Sequence, residues 1–293
     1  MVANCIRNVY QEEVLVEYSV STKNNGVQME GLMLRKKGEN LAPNFYLNEQ
    51  FEEWTKGEKS LHDIVTNICH VFEEELQHNK HLAETICFKW DVMKENIFLR
   101  LVNRDKNIQL LEKVPYVEFM DLAVVYFYSI DISEEVKGTV VLTTEHQKLL
   151  GVTKEELHQK AEENTKKFRP IKVYQMDDLI TIVAQKLGID KLELNMEQNF
   201  MYILSNESNM FGAIGMFFKE EIEQLAEQRN CNFYILPSSI HEVILVLDNQ
   251  RIALEKFVEM VRDINATQVK ETEILSDSVY YYDKTAEQLR RIG

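Results

Sequence analysis

Two stretches near the N-terminus alternate apolar and polar residues on either side of a turn. The first runs through Val14, Val16 and Tyr18, and the second covers residues 27–34, after the Asn-Asn-Gly sequence at 24–26. Asn-Gly between two alternating runs is a strong short-range signal for a β-hairpin. The pattern therefore predicts a hairpin that turns at residues 24–26.

The hydrophobic period becomes helical between residues 61 and 76, and Ser60 with Asp63 forms a capping-box-like start. A strand is expected at 97–102 and a short helix at 108–111. The chain then reaches Pro115, where a boundary is expected because the residue before a proline avoids helical geometry.

The pattern of residues in the middle of the chain predicts helices that pack on a sheet. Residues 122–130 form a run of β-branched and aromatic residues that is short enough for a buried strand, and 139–142 is expected to pair with it through a turn at Gly138. A capping box at 153–156 starts a helix whose apolar face is Leu157, Ala161 and Phe168. A further helix is expected from Met176 to a stop at Gly188.

The last third predicts a ββαββα order. The expected elements are strands at 201–204 and 211–217, a helix to about 229, strands at 233–236 and 243–247, and a helix at 252–264. Short strands joined by hairpins favour antiparallel sheets with helices packed on them, which is the α+β class. We therefore predict an α+β protein with an N-terminal part at 1–115 and a C-terminal part at 116–293.

Composition and charge narrow the classes of function. The chain has 293 residues, of which 45% are hydrophobic, and its formal net charge is −15. This hydrophobic content is typical of a folded protein, and the negative charge repels nucleic acids and anionic membranes. The longest apolar run has nine residues, whereas a membrane-spanning helix needs about 20. With no secretory signal and no paired cysteine motif, a cytoplasmic location with reduced thiols is expected.

Motifs for common cofactors are absent, so no cofactor is predicted. The Gly-Ala-Ile-Gly sequence at 212–215 has the spacing of a nucleic-acid-binding GxxG loop, but its apolar neighbours favour a strand that needs close backbone approach. Glu74, Glu75, His78 and His81 would place metal ligands on adjoining turns of a helix. A polar helix end explains them better, and no metal site is predicted.

The polar segment 237–242 (Pro-Ser-Ser-Ile-His-Glu) interrupts two buried-looking strands and carries the main functional hypothesis. A catalytic triad would combine Ser238 or Ser239 with His241 and an acid, for which Glu242 and Asp277 are the candidates. On one strand, Ser239 and His241 would have Cα atoms about 6.6 Å apart, so such contact is not enforced. A turn at Pro237 followed by a structural histidine is the preferred interpretation.

Three further polar residues are candidate binding positions, namely Asn164, Asn265 and Thr267. Each follows an apolar helical face, where Asn ordinarily caps the helix. The tyrosine run 280–282 is expected to pack in the core or at an interface.

Several motifs together resemble an uncharacterised domain family of clostridial-type gut anaerobes. They include APNFYL at 42–47, LVN at 101–103, DLAVV at 121–125, Asn164-Thr165, YILPSSIHE at 234–242 and parts of 265–280. The chain also has a more distant resemblance to a second bacterial family of unknown function. The resemblance implies a full-length intracellular bacterial domain, and in that family a longer amphipathic helix usually precedes the first strand. Its recurring polar positions fit either a shared pocket or caps and turns.

These observations predict a protein- or ligand-binding module without catalysis, whose partner is an unknown protein or small molecule. Nucleic-acid and membrane partners are not expected. The alternative is a hydrolase that uses Ser238 or Ser239 with His241 and an acidic partner.

Overall fold

The computed structural model describes residues 1–11, 13–38, 42–78, 89–131, 137–176, 201–249 and 253–293. Its α-helices are α1 (Val2–Tyr10), α2 (Asn48–Thr55), α3 (Leu61–His78), α4 (Trp90–Met93), α5 (Ile108–Leu111), α6 (Thr144–Leu150), α7 (Lys154–Phe168), α8 (Gly215–Phe218), α9 (Glu220–Arg229) and α10 (Leu254–Thr267). Its strands are β1 (Val14–Thr22), β2 (Gln28–Lys36), β3 (Asn44–Tyr46), β4 (Ile97–Asn103), β5 (Tyr116–Phe119), β6 (Leu122–Asp131), β7 (Lys137–Val141), β8 (Ile171–Gln175), β9 (Met201–Asn206), β10 (Phe233–Pro237), β11 (Val243–Leu247), β12 (Tyr280–Asp283) and β13 (Gln288–Arg291).

The strands form three antiparallel sheets in the part of the chain that the structure describes. The first has the order β1-β2-β3, and the second has β6 between β4 and β5, with β7 also paired to β6. The third has the order β13-β12-β10-β11-β9-β8. Helices pack on these sheets, so the predicted α+β class is confirmed.

The first sheet and α3 form as predicted. Asn25 and Gly26 both have positive φ, as the tight turn between β1 and β2 requires. The Ser60 hydroxyl accepts the Asp63 N–H, and the Asp63 carboxylate accepts the Ser60 N–H, so α3 begins with the predicted capping box. Buried residues of the hairpin and α3 share one apolar cluster, which also takes in Ile6 of the short helix α1.

The central strand β6 and its neighbour β4 are buried and apolar. Residues 97–103 pair with 122–128 in antiparallel register. Pro115, the predicted boundary, lies between these two strands along the chain. The sheet thus joins residues on both sides of 115, and the division into 1–115 and 116–293 stays a prediction.

The turn expected at Gly138 is wrong. Gly138 lies within β7 and pairs with Ile130 of β6. A glycine also occurs in a strand where backbones approach closely, so its presence alone does not mark a turn.

The helix α7 begins with the predicted capping box at Thr153 and Glu156 and buries Leu157 and Ala161. Phe168 was expected on the same face but is 52% exposed. It is the last residue of α7, and the guanidinium of the next residue, Arg169, lies over the Phe98 ring. The helix expected from Met176 to Gly188 lies outside the described residues from position 177 onward.

The strand predicted at 211–217 is wrong. Residues Gly212–Ile214 form a 3₁₀ turn that continues into α8, and nearly every apolar side chain of the segment is buried. A short segment that is apolar on all sides has no period that distinguishes a strand from a helical turn. The predicted strands at 201–204, 233–236 and 243–247 correspond to β9, β10 and β11, the two predicted helices correspond to α9 and α10, and the strand that pairs with β9 on its other side is β8.

No helix among the described residues is long and apolar enough to cross a membrane.

Candidate functional site

A cleft of about 660 Å³ lies where segments from distant parts of the chain meet. Its walls include residues 22–24 at the hairpin turn, Arg100 of β4, residues 109–113 around the end of α5, the loop at 240–241 and residues 272–273. The volume falls within the range that is usual for small-molecule sites. The cleft contains His241 of the predicted functional segment.

Arg100 supplies an unusual charge to the cleft. It lies in the middle of β4, where every residue is buried, and is itself 8% exposed. Its guanidinium carbon lies 5.0 Å from the centroid of the Phe211 ring. None of the hydrogen bonds or ion pairs among the described residues involves its guanidinium, and the Nε atom is buried without a partner there.

The Arg100 side chain nevertheless stays charged at neutral pH, because burial lowers its pKa only to about 10. Burying an ion costs several kcal/mol unless a counter-charge compensates it. A cation–π contact such as that with Phe211 returns about 1–2 kcal/mol. The folded chain therefore carries a buried cation in the cleft that its own described residues do not neutralise.

His241 is held in a fixed orientation by three hydrogen bonds. Its Nδ1 accepts the backbone N–H of Phe211 at 3.2 Å, its carbonyl accepts the Ser205 hydroxyl at 2.9 Å, and its backbone N–H donates to the Ser239 hydroxyl at 3.0 Å. The ring stacks on Phe211 with centroids 5.5 Å apart and planes at 16°.

Burial lowers the pKa of the His241 imidazole below its usual value, and the nearby Arg100 charge lowers it further, although Glu273 and Glu242 oppose both effects. The ring is therefore neutral at pH 7. Because Nδ1 is an acceptor for Phe211, the proton of the neutral ring lies on Nε2, which is left as a hydrogen-bond donor.

Phe211 itself has a backbone conformation that is rare for an aromatic residue, with φ of 60°. Such geometry costs about 1–3 kcal/mol and is found mainly where surrounding structure imposes it. The Asn206 side chain fixes the residue just before Phe211, since its Oδ1 accepts the Met210 N–H and its Nδ2 donates to the Met210 carbonyl.

Gly212 lets this loop approach His241 closely. A Cβ atom at this position would lie 2.7 Å from the His241 carbonyl oxygen and 2.5 Å from the Ser205 hydroxyl. The close backbone approach predicted for the Gly-Ala-Ile-Gly sequence is confirmed, although it occurs in a helical turn and not in a strand.

The other residues of the predicted triad do not complete it with His241. The Ser238 hydroxyl donates to the Glu242 carboxylate at 3.5 Å, and the Ser239 hydroxyl contacts the backbone N–H of His241. The Asp277 carboxylate contacts Asn265 at 2.8 Å and Lys106 at 3.3 Å. No hydrogen bond of the described residues joins either serine hydroxyl, or Asp277, to the imidazole.

The three candidate binding residues lie outside the cleft, and the two asparagines among them connect elements of the fold. Asn164 donates from Nδ2 to the carbonyls of Lys94 and Ile97 and so ties α7 to the start of β4. Asn265 donates to the Ser276 carbonyl and to Asp277.

These two asparagines and Thr267 lie inside their helices. The Thr267 hydroxyl donates to the Asp263 carbonyl one turn earlier in α10. The capping role expected for Asn164 and Asn265 is therefore wrong, because both side chains are used for contacts between elements.

The hairpin turn has a role that its sequence did not reveal. Asn25 donates from Nδ2 to the carbonyls of Glu271 and Ile274 at 2.7 and 2.8 Å, and Asn24 donates to the Thr272 carbonyl at 2.9 Å. These bonds hold the turn against residues 271–274, and the two segments together form one wall of the cleft. Arg100 was also missed, although an arginine within the apolar sequence IFLRLVN is a sequence signal for it.

A buried carboxylate, that of Asp121, anchors residues 276–280, which follow the wall segment 271–274 along the chain. Asp121 accepts hydrogen bonds from the hydroxyls of Ser276, Ser278 and Tyr280, at 2.8, 3.1 and 2.8 Å. Tyr280 is fully buried, as the core role predicted for the tyrosine run requires. Tyr281 is half-buried and donates its hydroxyl to Asp248.

The described residues contain no cluster of three or more His, Cys, Asp or Glu residues that could hold a metal ion. The side chain of His78 and the whole of His81 lie outside them, so the metal hypothesis for that helix end is not tested. Cys5, Cys69 and Cys231 are free thiols.

Comparison with known proteins gives one match. A family model described as a family of unknown function, DUF5688, matches residues 1–284. No curated protein and no solved structure matches the chain.

Proposed function

Since the chain belongs to DUF5688, a family of unknown function, its role has to come from its own cleft, and we propose that it is a ligand-binding module without catalysis. The ligand would occupy the cleft between the hairpin turn, Arg100 and His241. The observation that carries the proposal is the buried Arg100 cation, which lines the cleft and forms no ion pair with any of the described residues.

The environment of His241 supports binding over catalysis. A general base must accept a proton from a nucleophile within hydrogen-bond reach. Here Nδ1 accepts a backbone N–H, and Ser239, the nearest serine in sequence, uses its hydroxyl on the His241 backbone. A ring fixed in this way presents one Nε2 donor to a ligand.

The alternative, a hydrolase using Ser238 or Ser239 with His241 and an acid, stays a second proposal. What favours it is that both serines and Glu242 share one tight turn with His241. It would require a serine hydroxyl to reach Nε2 when a substrate binds.

The broader expectations also remain proposals. We propose a cytoplasmic location in a bacterial host of clostridial type, with no nucleic-acid or membrane partner, on the basis of the acidic charge, the cysteine pattern and the resemblance described above. The distant resemblance to a second bacterial family also remains a proposal. So does the binding of a protein partner.

Ligand-detected NMR with a panel of small metabolites tests the main proposal. We expect at least one member to bind the wild-type protein and to remain chemically intact after prolonged incubation. The His241→Ala variant should not bind that compound. Turnover that is lost in both the Ser239→Ala and His241→Ala variants would favour the hydrolase.

A further inference from the structure

We infer that the cleft is specific for a small carboxylic acid with an apolar body, and that Arg100 pairs with its carboxylate. This inference rests on the proposed binding function and names the chemical class of the ligand. It is carried by three features of the cleft, which are its uncompensated cation, its neutral donor and its apolar walls.

The first feature fixes the sign of the ligand's charge. Arg100 is more than nine-tenths buried, its guanidinium carbon lies over the Phe211 ring, and its guanidinium has neither a hydrogen bond nor an ion pair with the described residues. A guanidinium presents paired N–H donors in one plane, and a carboxylate accepts them with two parallel hydrogen bonds. An anionic partner would therefore satisfy donors that the folded chain leaves open.

The second feature of the cleft favours a ligand that carries a single negative charge. Near Arg100, the neutral His241 ring offers one further donor, while the Glu273 carboxylate lines the same cleft. Lys23 and Lys113 also line it, but both are exposed to solvent, whereas Arg100 is buried. A phosphate dianion is usually held by several backbone amides at a helix N-terminus or a glycine-rich loop, and no glycine-rich phosphate motif occurs in the sequence. One carboxylate matches one buried guanidinium.

The third feature describes the rest of the ligand. Apolar side chains line the cleft beside the charged groups, and they are Met29, Leu110, Val141, Phe211 and Ile240. Such surface stabilises an apolar body through burial, while the few polar groups set its orientation. A branched aliphatic or arylalkyl carboxylic acid combines both requirements.

The experiment compares matched probes by isothermal titration calorimetry on the full chain. The probes are 3-phenylpropionate, 4-methylpentanoate, their neutral amides and 2-phenylethyl phosphate. We expect at least one of the two carboxylates to bind, its amide to bind at least tenfold more weakly, and the phosphate to bind more weakly than the carboxylate. Arg100→Gln should weaken carboxylate binding at least tenfold, whereas Arg104→Gln, whose side chain pairs with Asp105 outside the cleft, should leave it unchanged.

A second measurement covers the case in which Arg100→Gln folds poorly. Arg100→Met removes the buried charge but keeps a long side chain, so we expect the ligand-free variant to unfold at a higher temperature than the wild type and to lose the stabilisation by carboxylate. A ligand-free Arg100→Met protein that is less stable than the wild type would mean that Arg100 is structural.

The outcomes separate this inference from the proposed function. If an amide or the phosphate binds in the cleft as tightly as its carboxylate, the inference is wrong and the binding function stands. If only carboxylates bind but Arg100→Gln has no effect, the assignment of Arg100 is wrong. If neither these probes nor the metabolite panel bind, both proposals fail.

Discussion

Arg100 and His241 contact the same phenyl ring. The guanidinium carbon of Arg100 lies 5.0 Å from the Phe211 ring centroid, and the His241 ring stacks on it at 5.5 Å. Phe211 thus brings together a cation from the central sheet and a donor from the loop between β10 and β11. The loop that carries Phe211 and Gly212 therefore determines the geometry of the cleft.

Gly212→Ala should damage this loop. The new Cβ would lie 2.7 Å from two backbone atoms, the Asn206 nitrogen and the His241 oxygen, which cannot move without shifting β9 or the His241 loop. We expect a loss of more than about 2 kcal/mol in the free energy of unfolding, measured by urea denaturation.

The matched control for that change is Gly57→Ala, which has open space around the added Cβ and a positive φ. It should cost only about 1 kcal/mol, from backbone strain. Equal losses in the two variants would show that the close approach at Gly212 is not tight.

The lowered pKa of His241 predicts a dependence of stability on pH. The unfolded chain protonates this imidazole near pH 6.5, while the folded chain does so only at lower pH. The unfolded state therefore binds more protons between these values, so the free energy of unfolding falls as the pH drops through this window.

His241→Gln removes that contribution and serves as the comparison. Between pH 7.5 and pH 5, the wild type should lose more stability than the variant. A larger loss in the variant would mean that the folded protein favours the charged ring.

Asp121→Asn should destabilise the fold, because an amide cannot accept all three hydroxyl donors of Ser276, Ser278 and Tyr280 as a carboxylate does. Removing a buried hydrogen bond to a charged group costs about 1.5–3 kcal/mol, so we expect a loss of at least that size. Asp105→Asn is the control, since its carboxylate is mostly exposed and contacts only Arg104 among the described residues. If Asp121→Asn and Asp105→Asn both lower the free energy of unfolding only slightly, the hydrogen bonds to Asp121 contribute little to stability.

Asn25→Gly tests whether the hairpin turn holds one wall of the cleft. Glycine keeps the left-handed backbone of Asn25 but removes its hydrogen bonds to Glu271 and Ile274. We expect about 1–3 kcal/mol of lost stability and faster hydrogen exchange in residues 22–28 and 271–274. Asn230→Gly changes another left-handed asparagine, whose side chain makes an exposed contact with Lys284, and should leave that exchange unchanged.

Elements that depend on local sequence were predictable. The hairpin, α3 and α7 carry turn or capping residues next to a clear period, and each of these signals acts within a few residues. The strand predicted at 211–217 is wrong because the segment is buried on all sides, so its sequence carries no hydrophobic period that would indicate a helical turn.

The site was predictable only in part. The loop at 237–242 was identified from its polarity, and His241 does line the cleft. Its partners come from distant parts of the sequence, such as Phe211, 30 positions away, and Arg100 in β4, and no local pattern shows which distant segments meet. An arginine inside an apolar strand is the one sequence signal that pointed to the buried charge.

The most direct test of the account is to map ligand binding by amide chemical shifts. The tightest-binding carboxylate is added to the isotope-labelled full chain. We expect the largest changes on Phe211, His241 and Thr272 around the cleft, an intact ligand, and the loss of these changes in Arg100→Gln. Changes centred elsewhere on the molecule, or cleavage of the ligand by the wild type, would contradict it.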